Sequence, residues 1–210
     1  MKLYVFPIAP NPTRVRLYLA EKRAAGGAPE LDEQLVDLRA GEQKRPEHLA
    51  RNPLGKLPVL ELDDGSFLTE SLAIIEYLEE RAPEPPLIGR TAEERARVRE
   101  LERIAELAVL GPIARIVHAT RSPLGWPADP ALAESARQAL PDGLARLEAT
   151  LADARPFLAG ERPTIADCTL AAAFQFGRFG AVELPGGCAR LVAWDARYRE
   201  RAPARSVLSL

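Results

Sequence analysis

Hydrophobic and polar positions change their period along this chain, and the change divides it. Lys2–Phe6 is a short apolar run closed by Pro7, and it reads as a strand. Val15, Leu17, Tyr18 and Leu19 then lie in a helical setting within Thr13–Ala25. Asn11 stands where a helix N-cap belongs, with Pro12 at the first helical position, where a missing N–H is harmless. Gly26-Gly27 ends this helix, and Leu31–Leu38 is a second extended segment. A strand, a helix and a strand in this order predict a parallel pair joined by a right-handed crossover. Leu57–Leu62 alternates as a strand, Asp64-Gly65 is a hairpin signal, and Ser66-Phe67-Leu68 returns. Thr69 is the expected cap of a helix whose buried stripe is Leu72, Ile74, Ile75 and Leu78. The predicted order is β-α-β-(short α)-β-β-α.

Downstream the period is helical throughout. Arg81–Gly89 is a Pro-rich connection. Thr91-Ala92-Glu93-Glu94 is a capping box opening a long helix with Val98, Leu101, Ala105 and Ala108 on its apolar face. Gly111-Pro112 is expected to bend or break it, Ile113–Thr120 to continue it, and Ser122–Pro130 to form a loop. Ala131–Leu151 reads as a helix kinked or broken at Pro141, Thr164-Ile165-Ala166-Asp167 opens another, and Leu191–Arg201 is the last. The expectation is an α/β unit over residues 1–81, a linker over 82–89 and an all-α unit over 90–210.

Composition narrows the function. With 47% hydrophobic and 28% charged residues the chain is of ordinary globular type. Its net charge of −2, with both signs dispersed, lacks the basic stripe that nucleic acid requires. The N-terminal apolar run is too short for a signal peptide, and no stretch approaches the ~20 apolar residues of a membrane span. Two cysteines, Cys168 and Cys188, exclude a disulfide framework, and the reducing cytoplasm is the expected compartment. Cys168 is expected in the core, Cys188 closer to the surface. His48 and His118 stand alone, so no metal is expected.

Two features of the first unit suggest a small anionic ligand. Pro58 opens a strand without donating to its ladder, which leaves neighbouring backbone available. Cis bonds make up only about 5–6% of X–Pro bonds, so the residues alone favour a trans Leu57-Pro58. Thr69-Glu70-Ser71 sits at a helix start, where orphan N–H groups and the positive helix end suit a carboxylate. A Ser or Thr there is equally what a simple cap requires.

The run from Asn52-Pro53-Leu54-Gly55-Lys56-Leu57-Pro58-Val59-Leu60 through Thr69-Glu70-Ser71 to Tyr77-Leu78 resembles the glutathione-binding half of cytosolic glutathione transferases. Phe157-Leu158-Ala159-Gly160 followed by Thr164-Ile165-Ala166-Asp167 is similar to the helix-capping motif of that family. The resemblance implies a thioredoxin-like first domain, an all-helical second domain, a homodimer, and glutathione as co-substrate without a metal. It implies that Pro58 is cis and that Val59, or its neighbour Leu57, pairs with the cysteinyl backbone of glutathione. Glu70 and Ser71 would hold the γ-glutamyl amino and carboxylate groups. Gln43 and Lys56 fall where the glycyl carboxylate is contacted, with Arg45 or His48 as replacements for Gln43.

At the reactive position the chain departs from the pattern. Zeta-like members carry Ser or Cys five residues before an Arg-Val-Arg helix start, and here that position is Ala9. Ala9-Pro10-Asn11 resembles instead the Thr-Pro-Asn of nu-class members, which makes Asn11 the catalytic candidate. Its amide has donors for a thiolate as well as an acceptor for a cap, so capping alone is the competing reading. Thr13 is a weaker donor candidate, and Tyr4 reads as strand core. A free thiol ionises near 8.5. A helix end at about 0.3–1 kcal/mol and a neutral hydrogen bond at about 0.5–1.5 kcal/mol together lower that by about one unit. The expected function is glutathione-dependent attack on a small hydrophobic electrophile or on a disulfide or peroxide. The acceptor would lie against Leu107–Val117 and Pro123–Trp126. A non-catalytic binding or regulatory protein of the same fold is the alternative that Ala9 favours.

Overall fold

The computed structural model describes residues 1–209. Strand β1 (Lys2–Val5) is central, and its apolar residues Leu3, Tyr4 and Val5 are buried. It lies parallel to β2 (Asp32–Leu35) and antiparallel to β3 (Val59–Glu61), which pairs in turn with β4 (Phe67–Thr69). The sheet order is therefore β2-β1-β3-β4. The βαβ crossover runs through α1 (Pro10–Ala24), and a 3₁₀ turn (Glu42–Lys44) with the short α2 (Pro46–Leu49) leads to β3.

Two helix starts differ from expectation. Helix α1 begins at Pro10, because the Ala9 carbonyl already accepts the Thr13 N–H at 3.0 Å. Ala9 is the N-cap, without a side chain to cap with, and Asn11 lies inside the first turn. Thr69 cannot cap α3 (Ser71–Arg81), because it belongs to β4 opposite Val59. Glu70 is the N-cap, at φ 65° and ψ 115°, and its side chain makes no capping bond.

From α4 onward the chain is helical. The capping box of Thr91 and Glu94 opens α4 (Ala92–Ile104), which passes through a π-helical turn (Ala105–Leu110) into α5 (Gly111–Arg121) without a break. The wide turn moves the carbonyl four residues before Pro112 out of the way of its ring. That carbonyl, of Ala108, faces Gly143 of α6 (Pro130–Thr150). Pro141 does not break α6 either. It lies on the exposed side, where water can satisfy the freed carbonyl, while Ala136, Leu140, Leu144 and Leu147 hold the helix from within. The box of Thr164 and Asp167 opens α7 (Ile165–Phe179), buried from Ile165 to Gly177. Helix α8 (Ala189–Arg199) ends earlier than expected, and α9 (Ala202–Arg205) follows around Pro203.

One hydrophobic core runs from Leu3 to Ala204 through both halves, with α1 packed on α7. Lys22 of α1 is fully buried. It pairs with Glu79 at 2.8 Å and donates to the carbonyls of Ala82 and Pro85, which fastens the connection after α3. Glu79 also accepts from the backbone of Leu87 and Ile88. Cys168 is buried as expected, and Cys188, expected nearer the surface, is buried too. Among the described residues no group of three His, Cys, Asp or Glu could hold a metal, and no helix is long and apolar enough to cross a membrane.

Candidate functional site

The sheet register gathers the predicted residues at one end. Tyr4 and Thr69 flank Val59, so the loop leaving β1, the Leu57-Pro58 step entering β3 and the Glu70-Ser71 step leaving β4 lie side by side. The Leu57-Pro58 bond is cis, against the statistical preference and in line with the family resemblance. Val59 does not face a cleft. Its side chain is fully buried among Tyr4, Phe6, Val36 and Leu57, and its backbone belongs to the ladder. Leu57 lies outside the strands, and its N–H and C=O have no backbone partner among the described residues. Of the two candidates for pairing with a peptide-like ligand, Leu57 is therefore the one with free groups.

The start of α3 leaves backbone donors without a side-chain cap. With no side-chain cap from Glu70, the first-turn N–H groups remain orphans at the positive end of the helix. Glu70 is exposed and holds a backbone conformation that is unfavourable for any residue with a Cβ, a kind of strain that clusters at ligand sites. Ser71 points the other way. It is buried, its Oγ accepts from Arg14 Nε at 2.8 Å, and it donates to Asn11 Oδ1 at 3.3 Å. Asn11 is exposed, so the structure joins two predicted residues that sequence placed sixty positions apart. Thr13 is fully buried, with its hydroxyl against the carbonyls of Pro7 and Ala9 at 2.9 Å each, which removes it as a donor to a ligand.

The predicted glycyl-carboxylate residues lie on the neighbouring loops. Gln43 is buried, and its Oε1 has no partner among the described residues. Lys56 is exposed, and its carbonyl accepts from His48 Nε2 at 3.1 Å and from Asn52 Nδ2 at 3.0 Å. His48 is thereby a brace for this loop, and Arg45 is paired with Glu42 at 3.0 Å. Gly55, at φ 60°, passes close to the Gln43 carbonyl, so the two loops touch.

Sequence reading missed Arg14, which is 2% exposed. Its Nη1 donates to Glu102 at 2.9 Å and to Glu106, and Arg103 pairs with both carboxylates. Thr169 of α7 adds a bond to Glu102 at 3.2 Å. Burial pushes the Glu106 carboxyl up, but the Arg14 and Arg103 guanidiniums outweigh it and hold the carboxyl below its usual range. The available signal was an arginine on the apolar face of a helix that begins at a predicted site.

An apolar pocket of about 350 Å³ lies between α5 and the start of α6, lined by Ala114, His118, Trp126, Pro127 and Leu132 among others. The His118 ring lies 4.6 Å from that of Trp126 and 5.8 Å from that of Phe176. Ser122 Oγ accepts the Leu124 N–H at 3.2 Å and lies 3.1 Å from His118 Nδ1. Burial lowers the His118 pKa and favours the neutral imidazole. The lining includes Ala114 and Arg115 from the Leu107–Val117 stretch and Trp126 from the Pro123–Trp126 loop.

Comparison with known proteins matches this architecture. Residues 3–86 match the glutathione S-transferase N-terminal domain, and residues 129–200 the C-terminal domain. Glutathione S-transferase 2 of Saccharomyces cerevisiae is 32% identical over 216 residues, covering 100% of this chain and 90% of that protein. A maleylacetoacetate isomerase of Rhizobium meliloti is 37% identical over 169 residues, covering 77% of this chain and 76% of its own length. A crystal structure of a glutathione S-transferase from Methylobacillus flagellatus with glutathione bound has a TM-score of 0.83 at 29% identity, covering 100% of this chain and 99% of that one. The chain therefore belongs to the glutathione S-transferase family, as a transferase-type enzyme with a thioredoxin-like domain and a helical domain.

Proposed function

We propose that the chain binds glutathione across the sheet end and uses Asn11 to stabilise its thiolate for attack on a small apolar acceptor. The observation that carries this reading is the convergence of Leu57, Glu70, Ser71 and Asn11 on one edge, each with a group of the right kind. The free N–H and C=O of Leu57 suit the cysteinyl backbone. The orphan N–H groups of α3 suit the γ-glutamyl carboxylate, and the exposed Glu70 carboxylate suits the amino group. Lys56, beside Gln43, supplies a cation for the glycyl carboxylate. The thiol would lie near the start of α1, where Ala9 offers neither hydroxyl nor thiol and the Asn11 amide is the remaining side-chain donor.

The pocket beside His118 and Trp126 suits an apolar electrophile, and a disulfide or peroxide needs no more than an open approach to the thiolate. We place the protein in the cytoplasm, a reading that rests on its two free cysteines, and as a homodimer, for which the exposed apolar Leu35, Leu54 and Leu107 are candidate contacts. The test is retention on immobilised glutathione with elution by free glutathione, followed by turnover with an aromatic electrophile, a mixed disulfide and a hydroperoxide. Retention and turnover of at least one acceptor are expected. Absence of retention would overturn the binding site. Retention without turnover on the whole panel would overturn the role given to the thiolate.

A further inference from the structure

We propose that Arg14 is a positioning residue of this site, acting through the Ser71 hydroxyl to turn the Asn11 amide donors toward the glutathione thiol. The inference rests on the glutathione reading above and adds to it the group that orients the donor.

The argument follows from what each group can donate. A guanidinium has only donors, so in the 2.8 Å contact Ser71 Oγ must be the acceptor. The single hydroxyl proton is therefore directed away from Arg14, and Asn11 Oδ1 lies 3.3 Å along that side. An Asn amide whose oxygen is taken from the inside presents its N–H₂ on the other side, and Asn11 is the exposed end of this chain of bonds. With the amide reversed, the Asn11 N–H₂ would meet the hydroxyl and leave its proton without an acceptor. Arg14 thus sets the direction of both bonds.

Arg14 is itself held from the helical domain. Glu102 of α4 and Glu106 of the π-helical turn accept from its Nη1, and Arg103 balances the second carboxylate. Two guanidiniums and two carboxylates leave the cluster neutral, so its effect on the thiol is directional and adds no net charge. The same helical domain carries the acceptor pocket, and the donor orientation in the first domain depends on the second being docked.

The measurement is ultraviolet absorbance of the bound thiolate against pH, in full-length protein saturated with glutathione. Asn11→Ala and Ser71→Ala should each raise the bound thiol's pKa by up to about one unit. Ser71→Thr, which keeps the hydroxyl, should retain the parent value. In the Asn11→Ala background neither Ser71→Ala nor Arg14→Lys should add a shift, because the group they act through is gone. Arg14→Lys alone keeps the charge, loses the Nε donor and should behave as Ser71→Ala. If that variant does not fold, Ser71→Ala leaves the ion cluster intact and carries the same expectation. A parent-like pKa in Ser71→Ala while Asn11→Ala shifts, or shifts that add in the double variant, would overturn the relay. A parent-like pKa in Asn11→Ala would overturn it as well, whereas failure of the parent to bind glutathione would remove the functional reading itself.

Discussion

At the scale of single residues, this site is assembled from positions where local preference is set aside. Glu70 shows it most clearly, with a positive φ at a residue that has a full side chain. Such a conformation raises the energy by about 1–3 kcal/mol, and only Gly adopts it freely. Glu70→Gly is therefore expected to hold or raise stability, by about 1 kcal/mol at most once the extra chain entropy of Gly is counted. It should at the same time weaken glutathione binding through loss of the carboxylate. Thermal unfolding together with calorimetric titration checks both halves. A destabilised variant with parent affinity would mean that Glu70 serves the fold rather than the ligand. Asn11 was legible as a candidate, but its place was not. The sequence made it a cap, whereas the Ala9 carbonyl starts the helix two residues earlier and leaves the Asn11 side chain for Ser71.

Elements show the opposite economy, with a sequence irregularity absorbed by its neighbours. Gly111-Pro112 leaves the long helix unbroken because the π-helical turn of Ala105–Leu110 precedes it, and the Ala108 carbonyl is turned toward α6. A Cβ on Gly143 would lie 2.4 Å from that carbonyl oxygen. Gly143→Ala must therefore push α6 away from the turn that carries Glu106, with an expected loss of about 1–3 kcal/mol. Gly186→Ala is the control, since among the described residues nothing lies within 4 Å of its Cβ position, and it should stay within about 0.5 kcal/mol. Denaturant midpoints distinguish the two, and equal stability would show that α6 and the turn can separate without loss. The capping boxes at Thr91 and Thr164 and the Asp64-Gly65 hairpin were legible because each is a local bond pattern. The bounds of α1, α3 and α8 were displaced because strand pairing, a turn or a proline beyond the helix sets them.

For the whole molecule, the two domains share one core and one ion cluster. Helix α1 lies against α7, and Arg14 finds its carboxylates only in the helical domain. A chain ending at residue 89, after the proposed linker, would expose that apolar face to water and remove both carboxylates that hold Arg14. Such a fragment is expected to lack a cooperative unfolding transition, while the intact chain unfolds in one step. Circular dichroism during thermal unfolding checks this, and a sharp transition in the fragment would show that the first domain folds independently.

The sequence by itself determined the alternation of α/β and all-α segments, the hairpin, the capping boxes and the run from Asn52 to Leu78 that marks the family. These depend on neighbours a few residues apart, whose chemistry is fixed before the chain folds. Tertiary structure alone decided that Leu57 rather than Val59 keeps a free backbone, because that depends on which residue the β1–β3–β4 register occupies. It likewise decided that Thr13 is spent on the loop carbonyls and that Ser71 faces inward to a buried Arg14. Those outcomes turn on which donor meets which acceptor across distant segments, and a hydroxyl with one proton can serve only one direction at a time.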